Sequence, residues 1–156
     1  HDSEPPAKGQ QVITACVFIH QRVNGVNKVF LPKRAATKKF LPNLYELPGG
    51  HIHFGEDLKE GLEREIREEL NVSITIEDPF YAFTYVNEIK GSHSVEIVFF
   101  ATLLDPLEKI KLNPEDHSSF GWFGKDELTI ISQGRKENDP ETEAIVRGFS
   151  LLEGMK

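Results

Sequence analysis

One cysteine, one methionine and one tryptophan are all that this chain of 156 residues holds of those types. A lone Cys16 excludes any intrachain disulfide, so the core must hold the fold and a reducing compartment is the simpler setting. Cys16 itself is expected in a buried strand, with no chemical task. Missing too is any stretch near the ~20 apolar residues that cross a bilayer, and any charged start leading into a secretory apolar run. The expected location is therefore the cytoplasm, with no membrane partner. Positive charge is not in excess either: 18 basic against 25 acidic residues give a net charge of −7. That balance argues against a long nucleic acid as partner, so any phosphate must be met locally. No repeat or second block of composition divides the chain. We read residues 1–10, which include two prolines, as a flexible N-terminal segment and residues 11–156 as a single domain.

What is present comes in short apolar runs. Residues 12–19 are β-branched and apolar enough for a strand buried on both faces; Asn24-Gly25 then supplies a turn, and residues 28–31 resume the extended pattern as a hairpin. A polar loop with Lys38 and Lys39 follows. Leu47-Pro48-Gly49-Gly50 reads as a strand entering a glycine turn, whose bare backbone can approach a ligand and whose Gly50 carbonyl can meet a metal. Leu58, Leu62, Ile66 and Leu70 recur every fourth residue and predict a helix laid on a sheet. Residues 80–86 and 94–103 read as strands flanking a Lys90-Gly91-Ser92 turn, with their aromatics assigned to the core rather than to a base-stacking shelf. Residues 105–116 form a polar connection. A C-terminal helix over Pro140–Leu152 has Pro in its first turn and Ile145, Phe149 and Leu152 on one face. Strands interleaved with two main helices predict an α/β protein with a mixed β-sheet.

Glu65, Glu68 and Glu69 stand at i, i+3 and i+4 on the first of those helices. At about 100° per residue they fall within roughly a 100° arc, so their oxygens are expected to converge on one point. Like charges that close destabilise a helix unless a cation neutralises them, and a hard divalent ion, Mg²⁺ first and Mn²⁺ second, is the natural remedy. The plainer alternative is a solvated face held by Glu60–Arg64 and Arg64–Glu68 pairs. Against it stand the glycines: Gly61 within the helix should cost about 1 kcal/mol relative to Ala, which calls for some close approach. Glu56 and Arg64 are expected to pair, Arg64 orienting the carboxylates.

Residues 50–72 resemble the signature box of the Nudix hydrolases, Gly-x5-Glu-x7-Arg-Glu-U-x-Glu-Glu-x-Gly-U, where U is a bulky aliphatic. Gly50, Glu56, Arg64, Glu65, Ile66, Glu68, Glu69 and Val72 fall in place. Asn71 stands where the family has glycine. That position lies just past the last helical turn, where the left-handed conformation is often needed and Asn is the best substitute.

The resemblance implies the Nudix fold, an α/β/α sandwich with a mixed β-sheet in which residues 121–123 look like a short strand. It implies hydrolysis of the pyrophosphate linkage of a nucleoside diphosphate derivative, with Glu65, Glu68, Glu69 and the Gly50 carbonyl holding Mg²⁺. The carboxylate that takes the proton from water would be Glu68 or Glu69, with Glu115 on the loop after the box second and Asp116 beside it. Arg34, at the end of the second strand, would contact phosphate, balanced evenly against an ordinary surface arginine. His51 and His53 stay outside the core assignment. Glu88 occupies the place where ADP-ribose hydrolases of the family tend to have Pro, and the Ser-Gln-Pro-x-Pro-Phe-Pro run of the NADH-cleaving branch is absent. The chain thus looks most like members that cut (deoxy)nucleoside triphosphates or modified nucleotides to monophosphates. Alternatives are another derivative such as a dinucleoside polyphosphate or nucleotide sugar, an isomerase or RNA-cap hydrolase on the same fold, a non-catalytic nucleotide-binding Nudix domain, and a purely structural cation site. Dimers are frequent among relatives, so a homodimer is a candidate assembly.

Overall fold

The protein is described by a computed structural model covering residues 8–154. Seven of the ten positions assigned to the flexible segment 1–10 lie outside the described residues. Gly9 and Gln10 do not float: the Gly9 N–H donates to the Gly91 carbonyl, and the Gln10 carbonyl accepts from His93.

Strand β1 (Gln11–Val23) runs through the middle of the sheet. Ala15, Val17 and Ile19 enter one core cluster while Cys16 and Phe18 enter another, and none is more than 3% exposed. Both faces are buried, as its unbroken apolar run requires. Asn24 and Gly25, at φ 52° and 79°, close a tight turn into β2 (Val26–Arg34). Positive φ at both central residues matches the right-handed twist of the strands, and Asn-Gly supplies it most cheaply. After β3 (Gly49–His51), helix α1 (Leu58–Leu70) leads to the long hairpin of β4 (Ile74–Asn87) and β5 (Ser92–Leu103). Then come β6 (His117–Phe123), a single-turn helix α2 (Leu128–Ile131) and helix α3 (Pro140–Leu152).

The sheet order is β4-β5-β1-β2-β6, with β3 on β1; β5 is parallel to β1 and the remaining pairs are antiparallel. Leu62, Ile66 and Leu70 of α1 bury their expected stripe among Ala15, Val17 and Ile19. On the opposite face Ala144, Ile145 and Phe149 of α3 pack with Cys16, Phe18 and Val98. The mixed sheet between helices is the expected α/β/α arrangement. Among the described residues no helix is long and apolar enough to cross a membrane.

One departure from regularity shapes the site. Only residues 20–23 of β1 pair with β2; further on, β2 turns to β6 and the two strands splay apart. Chain from Asn43 to His51 fills the gap. Arg34 N–H donates to Leu44, Glu46 N–H to Pro32 and Val17 N–H to Pro48, while Tyr45 bridges Lys33. This wedge carries Glu46 and delivers the box to β1.

Two strands extend further than the sequence reading. β4 begins at Ile74 rather than at 80, and passes the expected breaker Pro79 through register shifts on either side of it. Proline lacks the ladder donor, so an irregularity is the means by which a strand absorbs it. β6 begins at His117 and includes the polar Ser118 and Ser119, which carry no apolar signal.

Candidate active site

Residues 49–51 are not a glycine turn, as the sequence reading had them, but the short strand β3, antiparallel to β1 with Gly50 opposite Ala15. Glycine is required there by proximity. A Cβ on Gly49 would lie 2.0 Å from the Ala15 carbonyl oxygen, and one on Gly50 would lie 2.5 Å from the Glu65 carboxyl. The helix carboxylate and the strand backbone are thus in contact through the missing side chain. Asp57 caps α1, accepting from the N–H groups of Lys59 and Glu60, and Asn71 closes it at φ 58°, ψ 32°, the left-handed conformation expected of it.

Arg64 organises the cluster. Its Nε donates to Glu56 Oε2 at 2.8 Å and its Nη2 to Glu56 Oε1 at 3.1 Å; Nη2 also reaches the His51 carbonyl at 3.0 Å. Nη1 reaches Glu65 Oε1 at 3.1 Å and Glu68 Oε1 at 3.5 Å. The expected Glu56–Arg64 pair is therefore bidentate, and the fork ties helix, preceding loop and strand together. Its hydrogen bonds, with that from the His53 N–H, hold the Glu56 carboxyl down at about 2. Gly61, in the second turn rather than mid-helix, gives Glu56 room: a Cβ there would lie 2.7 Å from its Oε1.

Among the described residues no three His, Cys, Asp or Glu side chains stand close enough to hold a metal ion. The convergence of Glu65, Glu68 and Glu69 on one point is thus not found. Glu65 and Glu69 are each 1% exposed, whereas the Glu68 side chain is 61% exposed and meets Glu65 through the shared guanidinium. Like charges separate, and the nearest cation sits between two of them. The donor set nonetheless fits a hard divalent ion. All its donors are oxygen, Gly50 leaves open against Glu65 the space that a Cβ would fill, and Glu68 needs only a change of rotamer to join.

Arg34 points to structure as well as to ligand. Its Nε and Nη2 donate to the Phe40 carbonyl and its Nη1 to Glu46 Oε1 at 3.2 Å, and the residue also lines a cavity of about 180 Å³. Glu115 lies exposed on its loop, outside that cavity's lining, and Asp116 pairs with Lys38 at 2.9 Å. His51 lines the cavity; His53 Nδ1 lies 3.9 Å from Glu56.

The sequence reading missed the polar lining of that cavity. Glu46, Glu96 and Glu141 arrive from the wedge, β5 and α3, with Arg34 and Arg135 among them. Burial pushes the Glu46 carboxyl up, yet the 2.7 Å hydrogen bond with His117 and the charges of Arg34 and Arg135 outweigh it and hold it at about 2. For Glu141 burial wins over Arg135, 3.0 Å away, and the carboxyl rises to about 6. Glu96 rises to about 8, through burial first and the charge of Glu141 second. Cys16 is buried as expected, its thiol pushed up by burial and then by Glu96. The one signal for Glu96 was a lone acid in an apolar strand, on the same side as Ser94 and Val98.

Two helices flanking a mixed sheet, with an acidic helix clamped by arginine against a glycine strand, define an α/β/α protein of the box-bearing type. Residues 10–146 match the family model of the NUDIX domain, and the chain belongs to the Nudix family. It is 36% identical over 55 residues to the uncharacterized Nudix hydrolase all7351 of Nostoc sp., over 35% of this chain and 32% of that protein. A Nudix hydrolase of Deinococcus radiodurans is 32% identical over 73 residues, covering 46% of this chain and 41% of the relative. These matches span less than half of each relative's length. The structure of a C. elegans Ap4A hydrolase binary complex superposes with a TM-score of 0.70 at 22% identity, covering 92% of this chain and 98% of that one, a likeness of fold.

Proposed function

We propose that the protein is a Mg²⁺-dependent hydrolase that cuts the pyrophosphate linkage of a nucleoside diphosphate derivative, with (deoxy)nucleoside triphosphates or modified nucleotides as substrates and a monophosphate as product. The observation that carries this reading is the box as built: Glu65 against the bare backbone of Gly50, with Arg64 fixing Glu65 and Glu56 in one fork. Mg²⁺ or Mn²⁺, held by Glu65, Glu68, Glu69 and the Gly50 carbonyl, would neutralise the diphosphate and make water acidic enough to attack phosphorus.

The chain's own residues do the rest. Arg64 sets the direction of the Glu65 oxygens and keeps Glu56 ionised, which in turn keeps the guanidinium in place. Glu68, largely exposed and at the edge of the cluster, is placed to accept the proton from water, with Glu69 the second choice. The substrate's phosphates meet the box, and the neighbouring cavity, lined in part by Gly50 and His51, takes the rest of the molecule. The acidic balance of the whole chain favours a small substrate over a long nucleic acid. That a core glutamate has not been lost speaks for an enzyme rather than a binding module.

The test is product release with Mg²⁺ from a panel of canonical and oxidised triphosphates, dinucleoside polyphosphates, ADP-ribose and nucleotide sugars. Monophosphate from the triphosphates, abolished by chelation, is expected. Tight binding of a nucleotide without turnover of any member would make the protein a sensor instead.

A further inference from the structure

The 180 Å³ cavity lies toward the α3 side of β1, since Thr14 and Cys16 line it and Cys16 belongs to the core cluster of α3. Phosphate chemistry does not need its floor. Glu96 is there, 7% exposed, with Oε2 lacking any hydrogen-bond partner, while Thr14 and Cys16 hydrogen-bond to the carboxyl. An unmet polar atom buried at the floor of a cavity is costly to keep unless a ligand answers it. Aromatic rings form the wall: Phe83 and Tyr85 from β4, and Phe40 from the loop after β2. Phe40 and Tyr85 stand nearly parallel, 13° apart in plane, but with centroids at 6.0 Å, whereas Phe80 and Phe100 elsewhere close to 4.0 Å. The volume suits a heterocycle and is too small for a whole nucleotide, since pockets for drug-sized ligands run to about 300–1,000 Å³.

We propose that this cavity seats the heterocyclic base of the substrate against the Phe40–Tyr85 wall, and that Glu96 hydrogen-bonds the base edge and so sets base preference. The assignment takes the substrate to be a nucleotide and rests on the function proposed above. Cys16, Tyr85, Glu46, Glu141, Arg34 and Arg135 are the charged and titratable groups around Glu96, and the two nearby glutamates disfavour a third negative charge. Glu96 therefore carries its proton at neutral pH and offers one donor beside one acceptor. That pair complements a lactam or amino-imine edge, in which a ring acceptor and an N–H donor stand side by side. Stacking on the aromatic wall tolerates any base, so discrimination falls to the carboxylic acid.

Calorimetric titration of the full chain with AMP, GMP, CMP, UMP and ribose 5-phosphate, without metal, tests this. At least one nucleoside monophosphate should bind about tenfold more tightly than ribose 5-phosphate. Glu96→Leu should erase that margin, Glu96→Gln, which keeps a donor beside an acceptor, should preserve it, and Phe40→Ala should cut it by about tenfold. Phe40 is a loop residue, so its variant reports even if Glu96→Leu fails to fold. Equal binding of ribose 5-phosphate and all four nucleotides, or a margin untouched by Phe40→Ala and Glu96→Leu, overturns the assignment. Base discrimination without hydrolysis of any pyrophosphate supports it while refuting the function above; hydrolysis without discrimination does the reverse.

Discussion

Gly50 leaves no room for a methyl group, and the consequence is chemical rather than structural. A Cβ placed 2.5 Å from the Glu65 carboxyl must displace a side chain already tied to Arg64 at 3.1 Å. Gly50→Ala is expected to lower kcat/KM by about 10² or more, the order of loss that an ångström of misplacement brings, with thermal unfolding little changed. Steady-state kinetics beside a melting curve would check both halves. Glu96 gives a residue-scale prediction of another kind. Folded, its carboxyl titrates near 8; unfolded, near 4.5. Between those values the folded protein keeps a proton that the unfolded chain releases, so stability falls as pH rises across that window. Glu141, at about 6, works in the same direction, while Glu46 and Glu56, held at about 2, matter only in acid. Urea unfolding at pH 5 and pH 8 should show that decline in the native protein and a shallower one in Glu96→Gln. An equal slope in both would contradict the assigned environment.

At the scale of elements, α1 shows which signals a sequence can carry. Its four-residue apolar stripe, its Asn71 terminus and the Glu56–Arg64 pair were all legible, because each follows from local geometry over a few turns. Gly61 was recognised as an anomaly, and the structure supplies the cause in Glu56 and Ile52. Helix propensity alone says Gly61→Ala should gain about 1 kcal/mol. The methyl group would instead meet Glu56, which Arg64 holds from the other side, so we expect the variant to lose stability in a denaturation experiment. Asn71 sits at φ 58°, where a side chain without Asn's local hydrogen bonding pays for the left-handed conformation. Asn71→Ala should cost about 1 kcal/mol and Asn71→Gly should be neutral or better, again by denaturation. What escaped the sequence was backbone that breaks rules cheaply: β4 running through Pro79, β6 starting on polar residues, and β3 where two glycines suggested a turn.

For the whole molecule, the fold class was readable and the cavity was not. Its walls come from β1, β4, β5, the wedge between β1 and β2, and α3, and no pattern within one segment announces that meeting. Glu46, Glu96 and Glu141 are nearly a hundred residues apart end to end, and each alone looks like an ordinary acid. The carboxylate trio shows the reverse limit. Helical spacing put Glu65, Glu68 and Glu69 on one side, but it could not foresee that Arg64 would draw Glu68 outward. The account stands or falls on whether that trio governs hydrolysis. Its most direct test is Mg²⁺-dependent monophosphate release from nucleoside triphosphates by the native protein and by Glu69→Gln, with circular dichroism confirming the fold of both. The account predicts turnover that chelation abolishes and that falls by about 10² or more in the variant. Turnover unchanged by Glu69→Gln would contradict it.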